Sequence, residues 1–184
     1  MKVLVTGATG FIGNYVIQEL LSHGAKVVAT SSNTAKAKEK SWYNEVNYIE
    51  HDIYKTSTEN LFQKFNSPDV LIHLAWGNLS NFKSQDHVDI ELPAHYLFLE
   101  NLIKNGLKDL TCIGTCLEYG MQEGCLNEEM DSNPIIAYPI AKNSLRKKLE
   151  ELTKSFQISL KWVRLFYMFG DGQSSKSILQ LLDK

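Results

Sequence analysis

The sequence has 184 residues, 43% of them apolar, and a formal charge of −2; this suits one well-buried domain and leaves no basic face for nucleic acid. Its apolar runs fall short of the ~20 residues that a membrane helix needs. Cys112, Cys116 and Cys125 make neither a CxxC pair nor a His-supported metal pattern, so free thiols, no metal and no disulfide framework are expected.

At the start, Val3, Leu4 and Val5 form a short apolar run, and Gly7, Gly10 and Gly13 follow at three-residue spacing. Tyr15, Val16, Ile17, Leu20 and Leu21 then recur at helical spacing. A buried strand, a glycine turn and a helix are predicted in that order. The first glycine suits a backbone shape closed to other residues, the second lets a pyrophosphate approach, and the third lets helix and strand close up. The helix aims its free N–H groups and positive dipole end at the phosphates. Gly7, Thr9, Gly10, Phe11, Ile12 and Gly13 are therefore candidate dinucleotide-binding residues, a purely structural glycine turn being the alternative. Nothing before this strand reads as a leader, and the expected location is cytoplasmic.

His23-Gly24 ends the helix, and residues 26–30 read as a second strand, joined by a link too short for anything but a parallel neighbour. At its end a cofactor without a 2′-phosphate usually meets an Asp or Glu. Here stand Thr30, Ser31, Ser32 and Asn33, with Lys36 and Lys38 beyond. Small hydroxyls beside lysines suit a 2′-phosphate, so Ser31 and Ser32 become candidates and NADP is favoured over NAD. The lysines equally suit a solvated helix face.

Residues 46–50 predict a third strand, followed by His51-Asp52-Ile53; residues 61–65 predict a helix, and residues 70–74 a fourth strand running into Ala75, Trp76 and Gly77. Ligands lie at the carboxyl ends of parallel strands, which adds Asp52, Ile53, Leu74, Ala75 and Trp76 to the cofactor side; Asp52 equally suits a helix cap. Beyond a polar loop come a helix at 89–104 and a fifth strand at 110–114 leading to Thr115. A helix at 136–155, a sixth strand at 158–166 and a last helix at 174–182 complete the chain. Alternating β and α segments without repeats or linkers define an α/β doubly wound parallel sheet, the Rossmann fold.

Tyr138-Pro139-Ile140-Ala141-Lys142 sets a tyrosine and a lysine on one helix face. Tyrosine ordinarily titrates near ~10, and an ammonium beside it favours the phenolate, which makes Tyr138 a usable acid or base. Lys142 also suits ribose hydroxyls at the nicotinamide end of a dinucleotide. Thr115, leaving the fifth strand at the same sheet edge, offers a hydroxyl to a substrate oxygen. Thr115, Tyr138 and Lys142 are the candidate catalytic residues, Tyr138 and Lys142 also meeting the cofactor; a surface Tyr and Lys is the plain alternative.

GATGFIG, YPIAK and GTCLEYG together resemble the extended short-chain dehydrogenase/reductase family, in its nucleotide-sugar epimerase, dehydratase and reductase branch. HDI at Asp52, HLAWG ending at Gly77 and RLFYMFGDGQ from Arg164 are similar to further motifs of that family. The resemblance implies an NADP- or NAD-dependent enzyme whose triad is Thr115, Tyr138 and Lys142. Tyr138 would exchange a proton at a sugar hydroxyl or ketone while hydride moves to or from the nicotinamide. Reduction of a 4-keto-6-deoxy nucleotide sugar is the first expectation. A 4-epimerase with captive NAD is the second, and a dinucleotide-sensing protein without turnover the third. Glu91 stands where the family usually carries an Asn, and Tyr167 replaces a sugar-side Asn. Cys116 and Leu117 replace the Asp-Glu pair of its dehydratases, so dehydration is not expected. A homodimer through the helices at 89–104 and 136–155 is also implied. By the same resemblance, residues 1–170 form the dinucleotide-binding domain, and residues 171–184 begin a C-terminal substrate domain that is largely absent.

Overall fold

The computed structural model describes residues 1–55 and 58–173. Among them, β1 (Lys2–Thr6), β2 (Lys26–Ser31), β3 (Asn47–Glu50), β4 (Val70–His73), β5 (Asp109–Thr115) and β6 (Ser159–Leu165) pair in parallel. Their order across the sheet is β3-β2-β1-β4-β5-β6. Helices α1 (Phe11–Ser22), α2 (Thr34–Lys38), α3 (Leu61–Lys64), α4 (Leu92–Lys104) and α5 (Ala137–Phe156) make the crossovers. This is the doubly wound sheet expected from the sequence. The helix expected at 174–182 lies outside the described residues, as does most of the segment read as a second domain.

Alternation along β1 sends Val3 and Val5 to one face of the sheet and Leu4 to the other. The first face meets Ile17 of α1 and Trp42. The second joins Leu71 and Leu110 to Leu99 and Leu102 of α4 and Leu145 and Leu149 of α5. Each such leucine, fully buried, is worth about 1.5–3 kcal/mol. The chain runs outward from β1 to β3, then returns to place β4 on the other side of β1. That reversal parts the loops and opens a crevice at the carboxyl ends of β1 and β4.

α4 begins later than the apolar spacing predicts. Pro93 occupies its first turn, where a missing N–H is harmless, and the residues ahead of it, His87–Glu91, wind as a π-helical turn. This turn buries both His87 and Glu91.

Candidate active site

After β1 the chain turns at Gly7, whose φ of +66° favours glycine. A Cβ at Gly7 would lie 2.8 Å from the Ala75 amide nitrogen, and one at Gly13 only 2.3 Å from the Gly7 carbonyl oxygen. Both glycines therefore let α1 and the loop after β4 close on the end of β1. Gly10 caps α1 without a side-chain hydrogen bond, which leaves the first-turn amides available to an anion.

These residues wall one side of a groove of about 440 Å³ that crosses the ends of β1, β2 and β4. Gly7, Thr9, Gly10, Phe11, Ile12, Gly13, Ser31, Ser32, Asp52, Ile53, Leu74, Ala75 and Trp76 all line it. So do Thr30, Lys36, His51, Tyr54, Gly77 and His95, of which the sequence reading missed Tyr54 and His95 as groove residues. Tyr54 follows the HDI motif and was reachable by continuity; His95 sits mid-helix and carries no such signal. Asp52 both lines the groove and caps a turn, its Oδ1 accepting the Tyr54 N–H at 3.1 Å. The Ser31 hydroxyl is shared with that of Tyr48 at 2.9 Å.

Thr115 ends β5, and Tyr138 and Lys142 lie in the opening turns of α5; all three are buried. The Thr115 hydroxyl accepts the Leu117 N–H at 3.3 Å. The Tyr138 N–H donates to the Phe82 carbonyl at 3.0 Å, and the two rings stack with centroids 5.2 Å apart. Lys142 Nζ donates to the Ile113 carbonyl at 2.8 Å and stands 4.0 Å above the Trp76 ring, which links this trio to the groove wall. The sequence reading expected an ammonium to draw Tyr138 down. Instead, burial and the nearby Glu118 charge push Tyr138 up to about 12, while Thr115 pulls the other way. Lys142 is engaged by Ile113 and Trp76, and burial brings it down to about 8. At neutral pH Tyr138 is thus a protonated phenol, placed to give up a proton.

Two buried carboxylates support this arrangement, and neither role was evident from sequence. Glu118 is fully buried. It accepts the Thr115 N–H at 2.9 Å, Trp162 Nε1 at 3.0 Å and Arg164 Nε at 3.0 Å. Arg164 also donates to the Ser132 hydroxyl and lies over the Tyr119 ring. Glu91 accepts the Gly77 N–H at 2.9 Å, the Tyr54 hydroxyl at 2.7 Å and His95 Nε2 at 3.1 Å. Burial pushes Glu91 up, but hydrogen bonds from His95, Gly77 and Tyr54 together hold it below the usual carboxylate range. Behind it, His95 Nδ1 meets His73 Nε2 at 2.8 Å, and His73 Nδ1 meets Thr6 Oγ1 at 2.9 Å. Burial lowers both histidines.

Among the described residues, no cluster of His, Cys, Asp and Glu is arranged to hold a metal, and no helix is long and apolar enough to cross a membrane. Cys112 is buried, Cys116 half-buried and Cys125 exposed, all as free thiols.

A profile of the NAD dependent epimerase/dehydratase family matches residues 3–184, and the chain belongs to that family. It is 31% identical over 179 residues to the dTDP-6-deoxy-L-talose 4-dehydrogenase (NAD(+)) of Aggregatibacter actinomycetemcomitans, covering 97% of this chain and 65% of that protein. It is 26% identical to the uncharacterized UDP-glucose epimerase YtcB of Bacillus subtilis (strain 168), covering 94% of this chain and 58% of that one. Among solved structures, the UDP-glucuronic acid 4-epimerase of Bacillus cereus, in complex with UDP-glucuronic acid and NAD, superposes with a TM-score of 0.81 at 25% identity. That match covers all of this chain and 63% of the epimerase. The chain thus spans less than two thirds of these relatives. The family is NAD-dependent, and the groove fits a dinucleotide. It offers a glycine cradle that a Cβ would fill, uncapped α1 amides, and on its wall the buried Thr30 hydroxyl, which has no hydrogen-bond partner in the structure.

Proposed function

We propose that the full-length protein is an NAD-dependent oxidoreductase that interconverts the 4-ketone and 4-hydroxyl of a nucleoside-diphosphate 6-deoxy sugar, acting as a reductase. The observation that carries this reading is the burial together of Thr115, Tyr138 and Lys142 against the groove wall, where Trp76 meets both the Tyr138 ring and the Lys142 ammonium. The talose 4-dehydrogenase supports it, since its name describes the same carbon worked in the oxidative direction. In the residues' own terms, the α1 amides and Gly7, Gly10 and Gly13 take the pyrophosphate. Ser31, Ser32, Asp52 and Ile53 face the adenosine end, and Leu74, Ala75 and Trp76 form the wall toward the nicotinamide. When bound, the reduced cofactor, NADH, would supply the hydride to the C4 ketone and leave as NAD. Tyr138 hands its proton to the sugar oxygen, and Thr115 holds that oxygen and the phenol in line. Lys142, buried above Trp76, takes ribose hydroxyls at the nicotinamide end of the cofactor.

A Tyr138→Phe variant should retain NAD binding and lose turnover by about 10²–10⁴-fold, the usual share of a positioned acid. Turnover at the wild-type rate would overturn the assignment. A 4-epimerase is the second reading, favoured by the likeness to the Bacillus cereus enzyme. NAD released in equal amount when the purified protein is denatured, together with both C4 epimers among the products, would select it. Ser31, Ser32 and Lys36 at the groove make NADP the necessary comparison in the binding assay.

A further inference from the structure

Glu91 stands between two walls of the groove that the sequence supplies separately. Tyr54 belongs to the loop after β3 and Gly77 to the loop after β4, and both donate to the Glu91 carboxylate. We propose that Glu91 is a positioning residue that clasps these two loops together, and that Thr6, His73 and His95 form a buried chain that keeps its carboxylate aimed at them. The proposal rests on reading the groove as the dinucleotide site.

The proton positions along this chain follow from counting donors and acceptors. Thr6 Oγ1 accepts the Leu74 and Ala75 N–H groups at 3.2 and 3.3 Å, which uses both its lone pairs. Its single O–H must therefore donate to His73 Nδ1. His73 then carries its proton on Nε2 and donates to His95 Nδ1. His95 in turn carries its proton on Nε2 and donates to Glu91. Each end of the chain thus grips the loop after β4, Thr6 at Leu74 and Ala75 and Glu91 at Gly77. A carboxylate accepts from all three donors at once, whereas a carboxamide would turn its N–H₂ to Tyr54 and force that hydroxyl to reverse and accept. A Cβ at Gly77 would fall 2.4 Å from both Glu91 Oε1 and the Tyr54 hydroxyl oxygen, so a side chain at residue 77 would have to push apart the two side chains of the clasp. Trp76, between these contacts, is stacked on His95 at 4.6 Å between ring centroids and donates its Nε1–H to His87 at 3.1 Å. The clasp therefore fixes the ring on which Lys142 rests.

In the full-length protein, Glu91→Gln should weaken NAD binding by about tenfold or more, because the lost hydrogen bonds are to a charged acceptor. Glu91→Asp, which keeps the charge on a shorter arm, should recover part of that loss. Nitrogen-15 NMR of the wild type without NAD should show His73 and His95 neutral at pH 7, both with the proton on Nε2. In Glu91→Gln the His95 signals should shift most. A Gln variant that binds NAD like the wild type, or an Nδ1 proton on either wild-type ring, overturns the clasp. The spectra decide it even if the Gln variant fails to fold. If the wild type binds neither NAD nor NADP, the dinucleotide reading falls, and the histidine spectra still judge the chain.

Discussion

Glu118 lies directly behind Thr115, whose N–H it accepts, and its charge is fully withdrawn from water. A buried carboxylate persists only with paired charge and filled hydrogen bonds, and Arg164, Trp162 and the Thr115 N–H meet that demand. Glu118→Gln would leave Arg164 without its counter-charge, and breaking a buried pair from one side costs about 3–5 kcal/mol. The hydroxyl of Ser132 and the face of Tyr119 still hold the guanidinium, which places the loss at the lower end. The same variant removes a charge that raises Tyr138, so the phenol should titrate lower. Denaturant unfolding reads the first effect. A spectrophotometric tyrosinate titration, with Tyr138→Phe subtracted as reference, reads the second. An unchanged midpoint with an unchanged titration would show that Glu118 acts on neither. Thr115 and Tyr138 were legible in sequence because a strand end and a helical spacing of four are local patterns. Glu118 was not, since its partners Trp162 and Arg164 come from 44 and 46 residues away and only the pairing of β5 with β6 brings them near.

Strands and helices were foreseeable where local pattern and burial agree. The apolar core of β1 and the glycine spacing before α1 are such cases, and the structure turns at Gly7 and packs closely at Gly13 as the pattern suggests. The π-helical turn before α4 is the contrary case. Its apolar spacing continues that of α4, and only the packing of His87 and Glu91 against the groove wall marks the change. Two glycines separate geometry from conformation at this scale. A methyl at Gly13 would strike the Gly7 carbonyl at 2.3 Å, so α1 must back away from β1. Gly13→Ala should cost about 1–3 kcal/mol, the range of overpacking, and abolish NAD binding. Gly24, at the end of α1, has a φ of +71° and open space around it. Gly24→Ala should cost about 1–2 kcal/mol for the left-handed backbone and leave NAD affinity intact. Thermal unfolding and titration calorimetry on the two variants check the contrast; equal losses of affinity would mean that α1 is not the phosphate-facing element.

The whole molecule carries its buried histidines where two walls of one groove meet, and this couples its stability to acid. In the unfolded chain His73 and His95 take up protons near 6.5; burial lowers both in the folded state. Below pH 6.5 the unfolded state therefore binds more protons, and stability falls as pH falls. The slope is about 1.4 kcal/mol per pH unit for each histidine that stays neutral. The groups facing them set the balance: Glu91 favours the charged form of His95, while Lys142 opposes charge on both rings. His51, half-buried and lowered by burial and by Lys64, adds a smaller share in the same window. Lys142 acts at the other end, since burial lowers it from 10.5 to about 8; across that interval the unfolded lysine is charged and the folded one is not, so stability rises with pH. Tyr138, raised from 10.0 to about 12, opposes this above pH 10. Denaturant midpoints should accordingly drop from pH 7 to pH 5, before the carboxylate window near 4.5 that governs Glu91. A flat profile between pH 7 and 5 would mean that the two rings are not buried as a neutral pair. A drop that appears only below 4.5 would assign the acid sensitivity to carboxylates instead. If the pair does govern the loss, acid attacks the molecule first at the chain that holds the loops after β3 and β4, and the groove should loosen before the sheet does.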